Sequence, residues 1–365
     1  MSMMASTTAE RQGNHSIAAR KERWRRFLEP NASPGFMFYV NCPEFELPSR
    51  PPLWPERMKE RYEWSLRSYE LQQRRAERIP DDAVPHLACD TGTEIFAEAL
   101  GCRVERPTDN TPFAIPFIHT AAEAEKVRVP ALDSSTLAPL FDLADKLCQH
   151  AGPDAVLKMV DIQSSMDIVA LLWDKTELFV AMVDEPEAVK SLSARVWTLL
   201  TAFLDEWFRR FGIEYIAHYP NYFMSGGVTL SEDEIGAVSN GMFREFFLPE
   251  LASLSQRYGG LGMHCCADAR HQWDNFLAIP GLRLLNLVNP PTRTLEAYTK
   301  TAYHFFARHT AQYHMGWVPS GDIATWPAQF PRDSRVVLQV EASNCEEAIR
   351  KCNILNEIRS DFLSS

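Results

Sequence analysis

The chain has 365 residues, 45% of them hydrophobic and 23% charged, a globular balance that excludes a mostly disordered polypeptide. Lys and Arg sum to 37 against 48 Asp and Glu, a formal charge of −11, which excludes a nucleic-acid surface built on basic excess. The longest apolar stretch, Met166–Trp173, carries Asp167 and is far too short to span a bilayer.

At the start of the chain, Thr7–Gly13 are mostly polar, so no secretory h-region is visible. The 8 cysteines are scattered, as expected of reduced thiols in a cytoplasm. Met1–Ala19 lacks apolar periodicity and is expected to be disordered. Arg20–Leu28 then reads as a short basic amphipathic helix, which either meets an anionic partner or packs Trp24 and Leu28 onto the body. Residues 1–30 are thus expected to form an extension, and residues 31–365 a single domain.

From there the pattern alternates. Apolar runs that read as buried strands are Gly35–Val40, Val84–Cys89, Val156–Ile162, Ile213–His218, Leu261–Cys265, Leu282–Val288, Gln312–Trp317 and Val336–Val340. Helical patterns lie between them, the clearest at Leu53–Glu77, Glu187–Arg210 and Glu232–Tyr258, with others at Thr93–Leu100, Ser165–Met182, Thr294–Arg308 and Asn344–Ile358. Eight strands alternating with helices predict an α/β fold, a (β/α)8 TIM barrel with an N-terminal helical extension.

Reactive groups of such a barrel sit where strands end. That rule nominates Cys42, Cys89 with Asp90, Asp161 with Gln163, His218, His264 with Cys266, Asn286, Asn289, Trp317, Glu341 and Cys345. Leu261–Asp268 is the most informative segment. Strand alternation puts His264 and Cys266 on one face and turns Cys265 away. An imidazole and a thiolate two residues apart can reach one zinc ion, with Cys345 as the candidate third metal ligand at the start of the last helix. There the helix N-terminus would lower its thiol pKa. The alternative is that these cysteines are small buried hydrophobes.

The chain resembles the uroporphyrinogen decarboxylase superfamily of barrels, which also holds zinc-dependent methyltransferases acting on thiols such as coenzyme M. The resemblance spans about Leu53–Phe362. It rests on Thr93–Cys102, Asp161–Ile168, Asp184-Glu185-Pro186-Glu187 and Phe243–Pro249. The methyltransferase branch carries His-x-Cys plus a late cysteine as zinc ligands, and His264, Cys266 and Cys345 look like that pattern. The decarboxylase branch fits less well. Its arginine-bearing N-terminal motif has no counterpart near Asn41–Pro51, and its Gly-His-Gly signature is replaced by Glu341-Ala342-Ser343.

Asp90 falls where that family keeps an essential aspartate, so it is either an acid/base group or a helix cap. His218 is either a base or metal neighbour or a satisfied core histidine. Glu341 is either a ligand neighbour or a solvated loop charge. Tyr219, Tyr222, Phe223 and Trp317 either wall a pocket or simply pack. The resemblance implies a cytoplasmic zinc methyltransferase with a small-molecule substrate, a thiol acceptor and no membrane or nucleic-acid partner. No Asp-x-His-x-x-Gly motif occurs, so a corrinoid donor would arrive on a separate protein. The competing expectation is a metal-free carboxy-lyase.

Overall fold

The computed structural model describes residues 15–108 and 110–364; the disorder expected of the first residues falls, for residues 1–14, outside them. The chain enters through helix α1 (Ile17–Phe27), which starts earlier than its apolar pattern suggests because the Ser16 side chain caps it by accepting the Ala19 N–H. Its basic character does not make a free anion surface. Arg20 is fully buried against Asp81 at 3.3 Å, and Trp24, Phe27 and Leu28 enter the main core.

The strands follow as β1 (Gly35–Asn41), β2 (His86–Leu87), the hairpin β3 (Arg103–Glu105) and β4 (Phe113–Ile115), β5 (Val156–Lys158), β6 (Glu214–Ile216), β7 (Phe223–Ser225), β8 (Val228–Ser231), β9 (Leu261–Cys265), β10 (Leu282–Leu287), β11 (Ala311–Gln312) and β12 (Arg335–Glu341). One sheet runs β1-β12-β11-β10-β9-β8, all parallel, and a second runs β2-β5-β6-β7. A parallel bridge, Gln163↔Ser231, joins the two. With helices packed outside, this is the expected TIM barrel. The expected first strand, β1, pairs β12 over its whole length.

Alternation sorts the side chains of β1. Phe36, Phe38 and Val40 pack outward in a cluster with Ala348, Cys352 and Leu355 of the last helix, while Met37 belongs to the inner core. The other edge of β1 meets no strand. Its Phe38 and Val40 N–H groups donate instead to the buried Asp82 and Asp81 carboxylates, each at 2.9 Å.

Several elements differ from expectation. The Glu232–Tyr258 helix is broken: a short 3-10 turn (Glu234–Ala237) and a wide helical turn (Phe243–Phe247) precede α6 (Leu248–Tyr258). Strand β8, unanticipated, comes first. Gly226 and Gly227, at φ +69 and +82, turn the chain into it, a backbone conformation that glycine adopts without cost. The Ser165–Met182 helix divides at Trp173 because Asp174 caps a new helix. The other labelled helices are α2 (Met58–Arg78), α3 (Ala138–Ala151), α4 (Ser165–Leu172), α5 (Pro186–Phe211) and α7 (Cys345–Ser364). No described helix is long and apolar enough to cross a membrane.

Candidate metal centre

The His264 segment behaves as alternation requires. Cys265 is fully buried in the core, whereas Cys266 is exposed. His264 pairs with Asn286 of β10 and with Ser231 of β8 across the sheet. Two residues past Ser231, the chain places Asp233 beside them. The ligating atoms of Asp233, His264 and Cys266 lie within 4.8 Å of one another, the one such His/Cys/Asp/Glu group of three or more among the described residues.

Each member is held by groups behind it. The Asn286 amide nitrogen donates to the Tyr313 carbonyl, so its oxygen faces His264 Nδ1 at 2.5 Å. An amide oxygen only accepts, so Nδ1 must carry the proton and Nε2 keeps a lone pair for a cation. Asp233 is fixed through its backbone N–H, which donates to Asp167 Oδ2 at 2.7 Å, while its own Oδ1 accepts the Cys266 N–H at 2.7 Å. Burial and the Asp233 carboxylate push the Cys266 thiol up to about 12, so without a cation it stays protonated. Nitrogen, sulfur and carboxylate oxygen in one cluster, with a histidine oriented by its second nitrogen, is a donor set that fits zinc.

Cys345 is not brought to this group. Strand β12 ends at Glu341, and after a three-residue turn the first residue of α7 faces the outer side of the sheet. There Cys345 packs with Cys42, Val340 and Ala342. The lowered thiol pKa expected from the helix N-terminus is also absent. Burial raises it, and Glu44, which accepts the Cys345 N–H at 2.9 Å, raises it further against the opposing pull of Arg78.

Asp90 and His218 are not members of this group. Asp90 bonds Lys158 Nζ at 2.8 Å and Arg50 at 3.3 Å. Burial opposes its charge, but Lys158 and then Arg50 overcome this and hold it at about 2. It caps no helix, and it is a standing anion, not a proton donor, near neutrality. Burial, with His264 and Lys158 nearby, pushes His218 down to about 3, so its ring is neutral; Nε2 lies 3.0 Å from Ser231 Oγ. Asp161, whose Oδ1 is 3.9 Å from that nitrogen, is pushed up to about 7 by burial and by Glu94. Glu94 itself is raised to about 7 by burial and Glu98. Sequence reading nominated Asp161 but missed Glu94 and Asp233, although Asp233 follows an apolar run after Gly-Gly, the one signal that could have exposed β8.

A cavity of about 250 Å³ is walled by Tyr39, Tyr313, Gln339, Asn41, Asn221 and His86 among others. Of its walls, Tyr313 is tied to the metal group, since its carbonyl accepts from Asn286; Tyr219, outside the cavity lining, packs its ring edge-on against His264 at 4.7 Å. Of the other aromatic candidates, Tyr222 and Phe223 are buried packing residues, and Trp317 packs on Tyr303 and Phe330 in the outer layer. Glu341 is exposed and bonds Asn41 at 2.6 Å.

A family model for uroporphyrinogen decarboxylase (URO-D) matches residues 58–287, well over half of the chain. Among solved structures, a methyltransferase from Methanosarcina mazei superposes with a TM-score of 0.62 at 12% identity, covering 94% of this chain and 99% of that one. No curated protein matches the sequence.

Proposed function

The chain belongs to the uroporphyrinogen decarboxylase family, and from that premise we propose that it is a zinc-dependent methyltransferase, passing a methyl group from a small-molecule or corrinoid donor to a thiol acceptor. The observation that carries this reading is the convergence of the Asp233, His264 and Cys266 ligating atoms in one cluster. In this reading Asp233 takes the place expected of Cys345, and residues 31–365 are the catalytic barrel. The fold it shares with the Methanosarcina mazei methyltransferase supports the assignment.

Asp233, His264 and Cys266 would hold the zinc, which would supply Lewis acidity to lower the pKa of an acceptor thiol. The chain's own residues do the rest. Asn286 presents His264 in the ligating tautomer, Asp167 holds the Asp233 backbone, and Tyr219 shields the imidazole edge. A corrinoid donor would be delivered by a separate protein to the open mouth. The carboxy-lyase reading calls for an aspartate free to steady a cationic intermediate, and the pairing of Asp90 with Lys158 and Arg50 weighs against it.

Metal analysis tests the proposal. Purified protein should carry about one equivalent of zinc, lost in Cys266→Ala and His264→Ala and weakened in Asp233→Asn. Cys265→Ala and Cys345→Ala should keep it. X-ray absorption at the zinc edge should then show an added sulfur when a competent thiol is supplied. Full zinc retention in Asp233→Asn would remove that ligand, and release of carbon dioxide from a carboxylated substrate with an unchanged zinc shell would overturn the transferase reading.

A further inference from the structure

The seam where the two sheets join carries polar atoms that the metal group does not use. Asp161 and Gln163 are two residues apart on an extended segment and so share a face, with the fully buried Ile162 turned the other way. Gln163 is bridged to Ser231, and Ser231 Oγ meets His218 Nε2. Thr91 Oγ1 accepts the Asp161 N–H at 2.9 Å, which fixes the Asp161 loop beside the Thr91–Glu94 turn. Among the described residues, four buried atoms here have no hydrogen-bond partner: Asp161 Oδ1, Glu94 Oε2, Gln163 Oε1 and His218 Nδ1.

Two of these do not belong to acids. Gln163 and His218 are each 7% exposed. The carboxylate and amide oxygens accept, and His218 Nδ1 accepts in the tautomer whose Nε2–H donates to Ser231 Oγ at 3.0 Å. The nearby cations are engaged with other partners: Lys158 and Arg50 with the Asp90 carboxylate, Arg61 with the Asp90 carbonyl at 2.6 Å, and Arg106 with Glu98 at 2.6 Å. Buried acceptors without donors are costly and are ordinarily satisfied by a ligand or by water.

We propose that this seam is a subsite for the ammonium or other N–H-rich end of the substrate, so that the thiol acceptor is an aminothiol and not a sulfonate or carboxylate. This rests on the transferase reading for the thiol but not for the ammonium. An ammonium supplies several donors and a positive charge, whereas a sulfonate would face acceptors alone. Asp161 is pushed up by burial and by Glu94, and Glu94 by burial and by Glu98, even with Lys158, Arg106 and Arg61 in range, and a bound cation would relieve that elevation.

The test uses zinc-loaded full-length protein and three thiols of equal chain length: cysteamine, 2-mercaptoethanol and 2-mercaptoethanesulfonate. Calorimetry should rank cysteamine tightest, by at least roughly tenfold, as expected of a charge-assisted contact. Asp161→Asn and, independently, Glu94→Gln should erase that preference while the added sulfur at zinc remains visible by X-ray absorption. Ethanolamine, which lacks the thiol, should still bind, and should do so in Cys266→Ala. Equal affinity for the three thiols, or preference for the sulfonate, overturns the subsite and leaves the transferase reading intact. Ethanolamine binding that depends on Asp161, with no thiol entering the zinc shell, upholds the subsite and overturns the transferase. Failure of ethanolamine and of every thiol overturns both.

Discussion

At the scale of single residues, the proposed centre depends on groups outside its ligand set. Asn286 decides which imidazole nitrogen is free, through one bond to His264 and one to the Tyr313 carbonyl. Asn286→Leu should therefore weaken zinc binding roughly 10- to 100-fold in a chelator competition, as loss of an orienting partner commonly does. Asn286→Asp should recover much of it, since a carboxylate oxygen accepts from Nδ1 equally well. Unchanged affinity in the leucine variant would mean that His264 orients itself. Asp90 illustrates a different residue-scale effect. Its folded pKa of about 2 lies below the ordinary carboxylate value, so its contribution is present above about pH 4 and vanishes as pH falls toward 2. Asp90→Asn should cost on the order of 2 kcal/mol at pH 7, measured by urea unfolding, and little at pH 2. An equal loss at both pH values would show that packing, and not its charge, sets the role of Asp90.

At the scale of elements, β8 is what carries Asp233 to the centre. Its entry turn uses Gly227 at φ +82, where an added Cβ would meet the Gly260 carbonyl oxygen at 2.8 Å and Met224 Cε at 2.7 Å. Gly227→Ala adds both a strained backbone and a clash with main chain, so a loss of about 2 to 3 kcal/mol is expected. The same substitution should reduce zinc content, because a displaced β8 takes Asp233 with it. A variant as stable and as zinc-rich as wild type would show that β8 docks independently of its turn. Helix α1 offers the converse case, an element outside the alternating pattern that still belongs to the core. Trp24 stacks on Tyr39 at 5.9 Å and donates its indole N–H to the Asp82 carbonyl at 2.9 Å. Arg335, at the start of β12, donates to the Phe27 and Glu29 carbonyls and ties the end of α1 beneath the barrel. Trp24→Ala should cost about 3 to 5 kcal/mol by the same denaturation measurement, which a merely appended helix would not show.

For the whole molecule, buried carboxyls shape the response to pH. Glu94 and Glu250 are each pushed up to about 7, chiefly by burial. A carboxyl whose folded pKa is raised binds protons more tightly folded than unfolded, so stability falls as pH rises from about 4 to 7 and stays lower above. Metal-free protein should accordingly melt at a higher temperature at pH 5.5 than at pH 8. Glu94→Gln should flatten that slope. A melting temperature that rises over the same interval would contradict the burial of these groups.

The barrel itself was legible from the sequence because its strands are short apolar runs alternating with amphipathic helices, a local periodicity that each segment carries alone. His264 and Cys266 were legible for the same reason: alternation along one strand needs no partner. The tautomer of His264 was not, because it is set by a side chain on β10 and a carbonyl after β11. Cys345 was misjudged as a neighbour because a helix's first residue faces wherever the preceding turn aims it, and that turn is fixed by packing against β1 and β12. Asp233 entered the centre only through the pairing of β8 with β9, a contact between segments separated by an irregular helix. Periodicity reports which face of its own element a residue occupies, whereas a ligand set is a meeting of several elements, and only their packing decides which faces meet.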